Sequence, residues 1–446
     1  MFLNFVGRKE ELVDLNKRFK SKQFEFVVIY GRRRVGKTTL IKKFLEDKEG
    51  IYFLCDKAGT ERNASRLKKK ISAHFNEPAI ESNDLYEIFG YLEKRIKKRT
   101  IIVLDEFSYL VEKDGSIPSI FQNIIDETLK NTNCTLILCG SSMSMMERGV
   151  LSFKSPLYGR KTAHMKIKEL TFKEIIKYYP KNSIEKNIEF YSSIGGVPFY
   201  LEKFSSKKDA IENIMDEIFS KTGGLYEEVE FLLKEEFREP DIYKSILSAI
   251  ASGNTRLVDV AHKSQIPAHN LPKYLKPLIS LGIIIKQYSI LDKRNKKPRY
   301  YIKDNYINFW FRFCEPFKSD LELNELEAPI NYLKQNFNSY VGTRFEELIR
   351  EQFARKIIPF KIHRIGVLWY GETEIDIVAI DKAIDNASFI EIKYKKNIKP
   401  HLILENLQEK INTLPIKPNN QLIFLLGISF NKKEMDCISF KELLDL

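Results

Sequence analysis

The sequence predicts an α/β chain in which two separate sheets flank a helical middle. Three observations predict it. A short β-rich run, a glycine loop and a helical spacing follow one another over residues 26–45, and later apolar runs end in acidic or serine residues. This order predicts a parallel sheet in the first third. Three helical stretches and two short strands follow from about Asp241. The last hundred residues then read as a helix followed by strands. The 446 residues exceed one ordinary domain. The breaks in pattern suggest a core over 1–170, a helical region over 171–238, a helix-and-hairpin module over 239–318 and a second α/β domain over 335–446.

"FEFVVIYGRRRVGKTTLIKKFLE" justifies the first sheet. Phe26 to Tyr30 is the strand, and Leu40, Ile41, Phe44 and Leu45 recur at helical spacing. Between them stands Gly31-x-x-x-x-Gly36-Lys37-Thr38, the full phosphate-loop pattern. Glycines let backbone N–H groups curl around phosphate oxygens, and the helix N-terminus adds a favourable dipole. Lys37 is expected on the β- and γ-phosphates and the Thr38 hydroxyl on Mg²⁺, with Arg34, Val35 and Thr39 completing the ATP-binding segment. "RTIIVLDEFSYL" supplies the second half: a strand over Ile101–Leu104, Asp105 to hold Mg²⁺ directly or through water, and Glu106 as general base for the attacking water. "CTLILCGSS" is a third strand ending in Ser141 and Ser142; sensing the γ-phosphate and capping a turn are both open to Ser141.

This first third resembles the archaeal-type AAA/STAND P-loop ATPases in three further stretches. "FVGRKEEL" matches their N-terminal box, which implies Val6 and Gly7 near the adenine. "SPLYGRK" implies Arg160 near the γ-phosphate, and "GGVPFYL" (Gly195, Gly196, Pro198) implies a turn that links nucleotide state to the next domain.

The middle reads helix by helix. "DIYKSILSAIASG" carries Ile242, Ile246, Leu247 and Ile250 and stops at Gly253; "TRLVDVAHKSQ" starts at a cap, Thr255; "PAHNLPKYLKPLISLGIII" carries Leu271, Tyr274, Leu275 and Leu278 and stops near Gly282. Strands around "IIIKQYSIL" and "PRYYIKD" are joined by the basic loop "DKRNKKPR", with Lys293, Arg294, Lys296, Lys297 and Arg299. Three helices and a hairpin predict a winged helix-turn-helix. A wing on DNA phosphates and a packing or lid module of the ATPase are both consistent with it. "NFWFRF" (Asn308 to Phe313) is an aromatic patch suited to an interdomain core and matches a recurrent block of the same ATPases.

In the last hundred residues, "LKQNFNSYVGTRFEELIREQF" predicts a helix with Phe345, Leu348, Ile349 and Phe353 on one face and Glu346 and Glu347 in its middle. "VLWYGETEIDIVAID" reads as a hairpin carrying Asp376, and "FIEIKYKK" as a strand with Glu391 and Lys393 on one face. Glu on a helix, Asp on a strand and Glu-x-Lys on the next strand resemble the PD-(D/E)XK nuclease superfamily over roughly 335–430. The resemblance implies a restriction-endonuclease-like domain with Glu346, Asp376, Glu391 and Lys393 in the catalytic roles and Mg²⁺ on Asp376 and Glu391. Glu347 is the alternative for the helix position, and isoleucine rather than proline precedes Asp376. Hard Mg²⁺ takes carboxylate oxygens, and an adjacent amine can orient or deprotonate water. Gln408 on the next helix is either a support for this site or a solvent-facing side chain.

Composition agrees with the assembly. Hydrophobic residues at 43% and charged residues at 30% suit packed cores. Lys+Arg number 73 against 60 Asp+Glu, a net +13 that favours a polyanionic partner, DNA above all. The 5 scattered cysteines show no CxxC pair and predict a reducing cytoplasm rather than a disulfide scaffold. No apolar run is long enough to span a bilayer, so no membrane partner is expected. Taken whole, the order of parts resembles archaeal ATPases of the DUF234-type architecture. The resemblance implies an ATP- and Mg²⁺-using ATPase that binds DNA and carries a nuclease-like domain; a STAND-like switch that binds DNA or protein without cleaving is the alternative. A homo-oligomer or a protein partner stays open.

Overall fold

The computed structural model describes residues 5–292, 296–395, 398–430 and 436–445. Lys293 and Arg294 of the expected basic cluster lie outside the described residues. The chain divides into two compact units, Met1–Leu170 with Val197–Phe199, and Thr171–Gly196 with Tyr200–Leu446.

The first unit is built on β1 (Glu25–Tyr30), β2 (Gly50–Leu54), β3 (Thr100–Asp105), β4 (Cys134–Gly140) and β5 (Ala163–Lys166), in the order β2-β3-β4-β1-β5. Every pairing is parallel. β3 and β4 are unbroken apolar runs and are buried along their whole length, as a sheet covered on both faces requires. Alternation along β1 divides the core. Phe26 and Val28 join Leu67, Phe89 and Phe121 on one face; Val27 and Ile29 join Leu15, Leu40 and Phe44 on the other. Because β4 lies between β1 and β3, the carboxyl ends of three neighbouring strands deliver Gly31, Ser141 and Asp105 to one edge.

In the second unit, the helices Pro240–Ala251, Leu257–Ser264 and Leu271–Ser280 precede an antiparallel hairpin of β6 (Ile284–Gln287) and β7 (Arg299–Ile302). Tyr300 N–H donates to Thr255 O at 2.7 Å, so the segment between the first two helices lines the hairpin as well. Asp304 then caps the helix Asn305–Phe313, accepting from Ile307 N at 2.6 Å. Phe309 and Phe313 of "NFWFRF" pack edge-on against Tyr340 of the long helix Glu327–Gln352. Arg344 of that helix is buried and donates to Asn305, Ile302 O and Lys303 O, tying the helix to the end of β7.

A mixed sheet follows: β8 (Arg364–Tyr370), β9 (Thr373–Ile380), β10 (Asn386–Lys393), β11 (Asn420–Gly427) and β12 (Cys437–Ser439), ordered β12-β11-β10-β9-β8. β8, β9 and β10 form an antiparallel meander, and β10, β11 and β12 are parallel. The helix Pro400–Asn412 makes the crossover that the parallel pair β10–β11 needs. The expected β8–β9 hairpin is present, turning at Gly371 with φ 59°. Phe345, Leu348 and Ile349 of the long helix, and Phe353 just past its end, are all buried.

The chain beyond β6 departs from an open wing. Ser289 Oγ donates to Trp369 O at 2.9 Å and accepts from Trp369 N at 3.1 Å, and Ile290 N donates to Val367 O at 3.0 Å. The Arg299 guanidinium stacks on Trp369, 4.4 Å from the ring centroid, and lies 3.6 Å from Glu374. The sequence left Arg299 open to DNA phosphates or to a packing module; here its guanidinium meets an aromatic face and a carboxylate of the adjoining sheet. Among the described residues no helix is long and apolar enough to cross a membrane.

Candidate functional sites

The glycine loop of the first unit turns where only glycine serves. A Cβ on Gly31 would stand 2.3 Å from Ile167 O, and Gly36 has φ 89°. Arg34 takes φ 68° within the loop, and its guanidinium lies 4.3 Å from the Phe199 ring. Pro198 packs next to Gly36, 3.6 Å from the position of a Cβ there. Val197–Phe199 thus group with the first unit and its loop. Arg8, which follows Val6 and Gly7 in the chain, donates to Val35 O of the loop at 2.9 Å and to Lys168 O at 2.6 Å.

Lys37 opens the helix Lys37–Leu45, is 5% exposed, and donates to Gly31 O at 3.0 Å and Arg32 O at 2.9 Å. Burial lowers its pKa, against the pull of Glu106 and Asp105. Thr38 Oγ1 donates to Asp105 Oδ2 at 2.7 Å, and Thr39 follows in the same first helical turn. A hydroxyl and a carboxylate oxygen meeting beside a glycine loop are the hard donors Mg²⁺ takes, so these residues fit that ion. Glu106, in the left-handed region at φ 54°, accepts from Ser141 Oγ at 2.7 Å and from Ser141 N at 3.2 Å. The Ser141 hydroxyl therefore addresses the expected general base.

Arg160 stands elsewhere. It precedes β5, beside the amino-terminal ends of β1 and β4, and both its Nε and Nη2 engage Asp126, with Nη2 2.6 Å away. The length of β1, about 20 Å at 3.3 Å per residue, separates that edge from the loop. Within one chain Arg160 is thus out of reach of its own γ-phosphate site, which corrects the placement the motif suggested.

The second unit gathers the other set. Asp376 and Glu391 lie where β9 and β10 part: regular pairing ends at Ile377↔Ile390, and Asp376 Oδ2 accepts from Ile392 N at 2.8 Å. Lys393 Nζ lies 2.9 Å from Glu391 Oε1. Glu346 comes from the long helix. Burial and the Asp376 charge push its carboxyl up to about 8; burial and the Glu391 charge push Asp376 up to about 6. Carboxyls crowded in this way are the condition a divalent cation relieves. No group of three or more His, Cys, Asp or Glu side chains among the described residues is placed to hold a metal as it stands. The fit is therefore to Asp376 and Glu391 as a pair, with Lys393 at their side. The adjacent glutamates differ in their surroundings: Glu347 pairs with Arg344 at 2.7 Å, whereas Glu346 feels the Asp376 charge.

Three functional neighbours escaped sequence reasoning. Tyr52 OH donates to Asp105 Oδ2 at 2.7 Å. Arg350, one helical turn beyond Glu346, donates to Asp376 O at 3.2 Å. Lys410 Nζ reaches Glu391 Oε1 at 3.2 Å, whereas Gln408 donates to Asn412. Each partner comes from a distant element, and no spacing in the chain signals it.

Comparison with known proteins places the two units. Residues 5–204 match a family described as an ATPase domain predominantly from Archaea, and residues 310–410 a family of archaeal and bacterial proteins of unknown function. An uncharacterized protein of Methanocaldococcus jannaschii, MJECL04, is 38% identical over 446 residues, covering 98% of both chains. An uncharacterized ATP-binding protein of the same organism, MJ0423, is 56% identical over 45 residues, covering 10% of this chain and 76% of its own. Among solved structures, the Walker-type ATPase PABY2304 of Pyrococcus abyssi aligns with a TM-score of 0.53 at 20% identity, over 69% of this chain and 96% of its own.

Proposed function

Because the chain belongs to the family of the Methanocaldococcus jannaschii protein MJECL04 and is an archaeal-type P-loop ATPase, we propose that it hydrolyses Mg·ATP and couples that cycle to DNA processing by a nuclease-like carboxyl-terminal domain. In the first unit, loop N–H groups and the helix dipole hold the phosphates, and Lys37 transfers its donors from Gly31 O and Arg32 O to β- and γ-oxygens. Thr38 and Asp105 would hold Mg²⁺, which would supply positive charge beside the phosphates. Glu106, steadied by Ser141, orients the attacking water and takes its proton as the γ-phosphorus–oxygen bond breaks. Val6, Gly7, Arg34, Val35, Thr39 and Pro198 line or buttress the nucleotide. Arg160 serves a nucleotide bound by a second copy, which makes a homo-oligomer part of this reading.

The second unit supports a nuclease assignment by its order: helix, three-strand antiparallel meander, helix, parallel strand. The three helices and hairpin before it are read as a winged helix. The observation that carries the reading is the convergence of Glu346, Asp376, Glu391 and Lys393 from a helix and two strands onto the point where β9 and β10 part. A divalent ion on Asp376 and Glu391 would polarise a phosphodiester. Lys393, held as ammonium by the carboxylates against its burial, orients the attacking water. Hydrolysis puts hydroxyl on phosphorus and a proton on the leaving oxygen. Plasmid nicking with Mg²⁺ or Mn²⁺, with and without ATP, tests this. Lys393→Ala is expected to lose cleavage and keep ATP hydrolysis; Lys37→Ala is expected to lose hydrolysis by about 100-fold or more. Cleavage undiminished in Lys393→Ala sinks the site assignment.

A second reading is favoured by a separate observation. The basic hairpin is sewn to β8 through Ser289, Ile290 and Arg299. This suits a STAND-like switch in which nucleotide shifts a conformational equilibrium and nothing is cut. Intact ATP hydrolysis without nicking under either metal, and DNA or partner binding that follows the nucleotide, would select it.

A further inference from the structure

Glu391 draws two ammonium groups. Lys393 Nζ lies 2.9 Å from Oε1, and Lys410 Nζ lies 3.2 Å from Oε1 and 3.4 Å from Oε2. The two lysines arrive by different routes. Lys393 shares the strand; Lys410 is aimed from the helix Pro400–Asn412, which Leu407 and Ile411 anchor in the core beneath the sheet. Their exposures also differ from that of the carboxylate. The Glu391 side chain is 10% exposed, against 33% for Lys393 and 29% for Lys410. The ammonium groups therefore stand at the mouth and the carboxylate at the floor. Lys395 continues the basic rim as an exposed side chain. Lys393 is drawn by Asp376 and Glu346 as well as by Glu391, whereas Lys410 meets Glu391 from the helix side. An ammonium at the mouth is a charge available to a polyanion once its carboxylate is taken by another cation.

We propose that Lys410 is a phosphate-contacting residue of this site: a divalent cation that takes the Glu391 carboxylate frees the Lys410 ammonium for a non-bridging oxygen of the DNA backbone. The assignment rests on the DNA-processing reading above and adds to it a residue of the substrate contact. No covalent bond to Lys410 is made or broken.

The test is the salt dependence of duplex-DNA binding by the full chain, measured in Ca²⁺ and in EDTA, for wild type, Lys410→Met and Lys410→Arg. Each phosphate contact contributes about one to the slope of log K against log salt. In Ca²⁺ the slope of Lys410→Met is expected to be smaller by about one, and Lys410→Arg to restore it. In EDTA, with Lys410 on Glu391, the three slopes are expected to coincide. Equal slopes in Ca²⁺ overturn the assignment and leave Lys410 a structural counter-charge; an equal loss in EDTA overturns the exchange with the cation. If Lys410→Met does not fold, Lys410→Gln, whose amide still donates to Glu391, gives the same readouts. Wild-type protein that binds no duplex in Ca²⁺ refutes the DNA-processing reading and Lys410 with it. Wild-type protein that binds but never cleaves in Mg²⁺ refutes cleavage alone, since the slopes still decide Lys410.

Discussion

Asp105 is held from three directions: Thr38 and Tyr52 donate hydroxyls to one oxygen at 2.7 Å each, and Glu106 N donates to the other at 2.9 Å. A hydrogen bond to a charged group contributes about 1.5–3 kcal/mol. Tyr52→Phe is therefore expected to lower ATP turnover about tenfold and raise the Mg²⁺ concentration for half-maximal rate; phosphate release across a Mg²⁺ titration measures both, and an unchanged midpoint would remove Tyr52 from the site. At the opposite edge of the same sheet, burial raises the Glu25 carboxyl, but hydrogen bonds from Thr162 and Arg18 outweigh it and the net value is lowered. A lowered carboxyl stabilises the fold above its unfolded value, about 4.3, and that contribution fades as pH falls through the lower folded value. Glu25→Gln should thus cost stability at neutral pH and progressively less as pH falls below about 4.3, read as melting temperature against pH; a cost independent of pH would contradict the ion-pair account.

At the scale of elements, much was legible. The strand–loop–helix of the phosphate loop and the strand ending in Asp105 stand where their patterns placed them, because continuous apolar runs and glycine spacing are local signals. The helix carrying Glu346 was equally legible, but the different surroundings of Glu346 and Glu347 were not. Neighbours on a helix point about 100° apart, and what each meets differs: Arg344 for Glu347, the Asp376 charge for Glu346. Tyr52 and Lys410 were illegible for the same reason, since their partners arrive through strand order and crossover. Arg344 invites a direct test. It is 3% exposed and serves Asn305, Ile302 O, Lys303 O and Glu347 at once. Arg344→Met strands a carboxylate and several acceptors, and is expected to cost about 3–5 kcal/mol. Urea unfolding would show it, and a loss under 1 kcal/mol would mean the clamp is dispensable.

At the scale of the whole molecule, the proposed service of Arg160 to a second copy predicts an ATP turnover that depends on assembly. If a second copy receives that arginine, specific activity should rise with protein concentration in the wild type and stay low and flat in Arg160→Ala. A concentration-independent wild type of full activity would limit Arg160 to its bond with Asp126. The pairing of Ser289 and Ile290 with β8 has a further consequence. β8 is the outermost strand of its sheet, and an uncovered edge is a template for pairing with another chain. The segment after β6 closes that edge. Any rearrangement that swings the hairpin toward a nucleic acid also bares a β-edge, so such a state has to bring its own cover or lose solubility. The hairpin is thus a guard against aggregation, and the cost of leaving that post bounds how freely it can move.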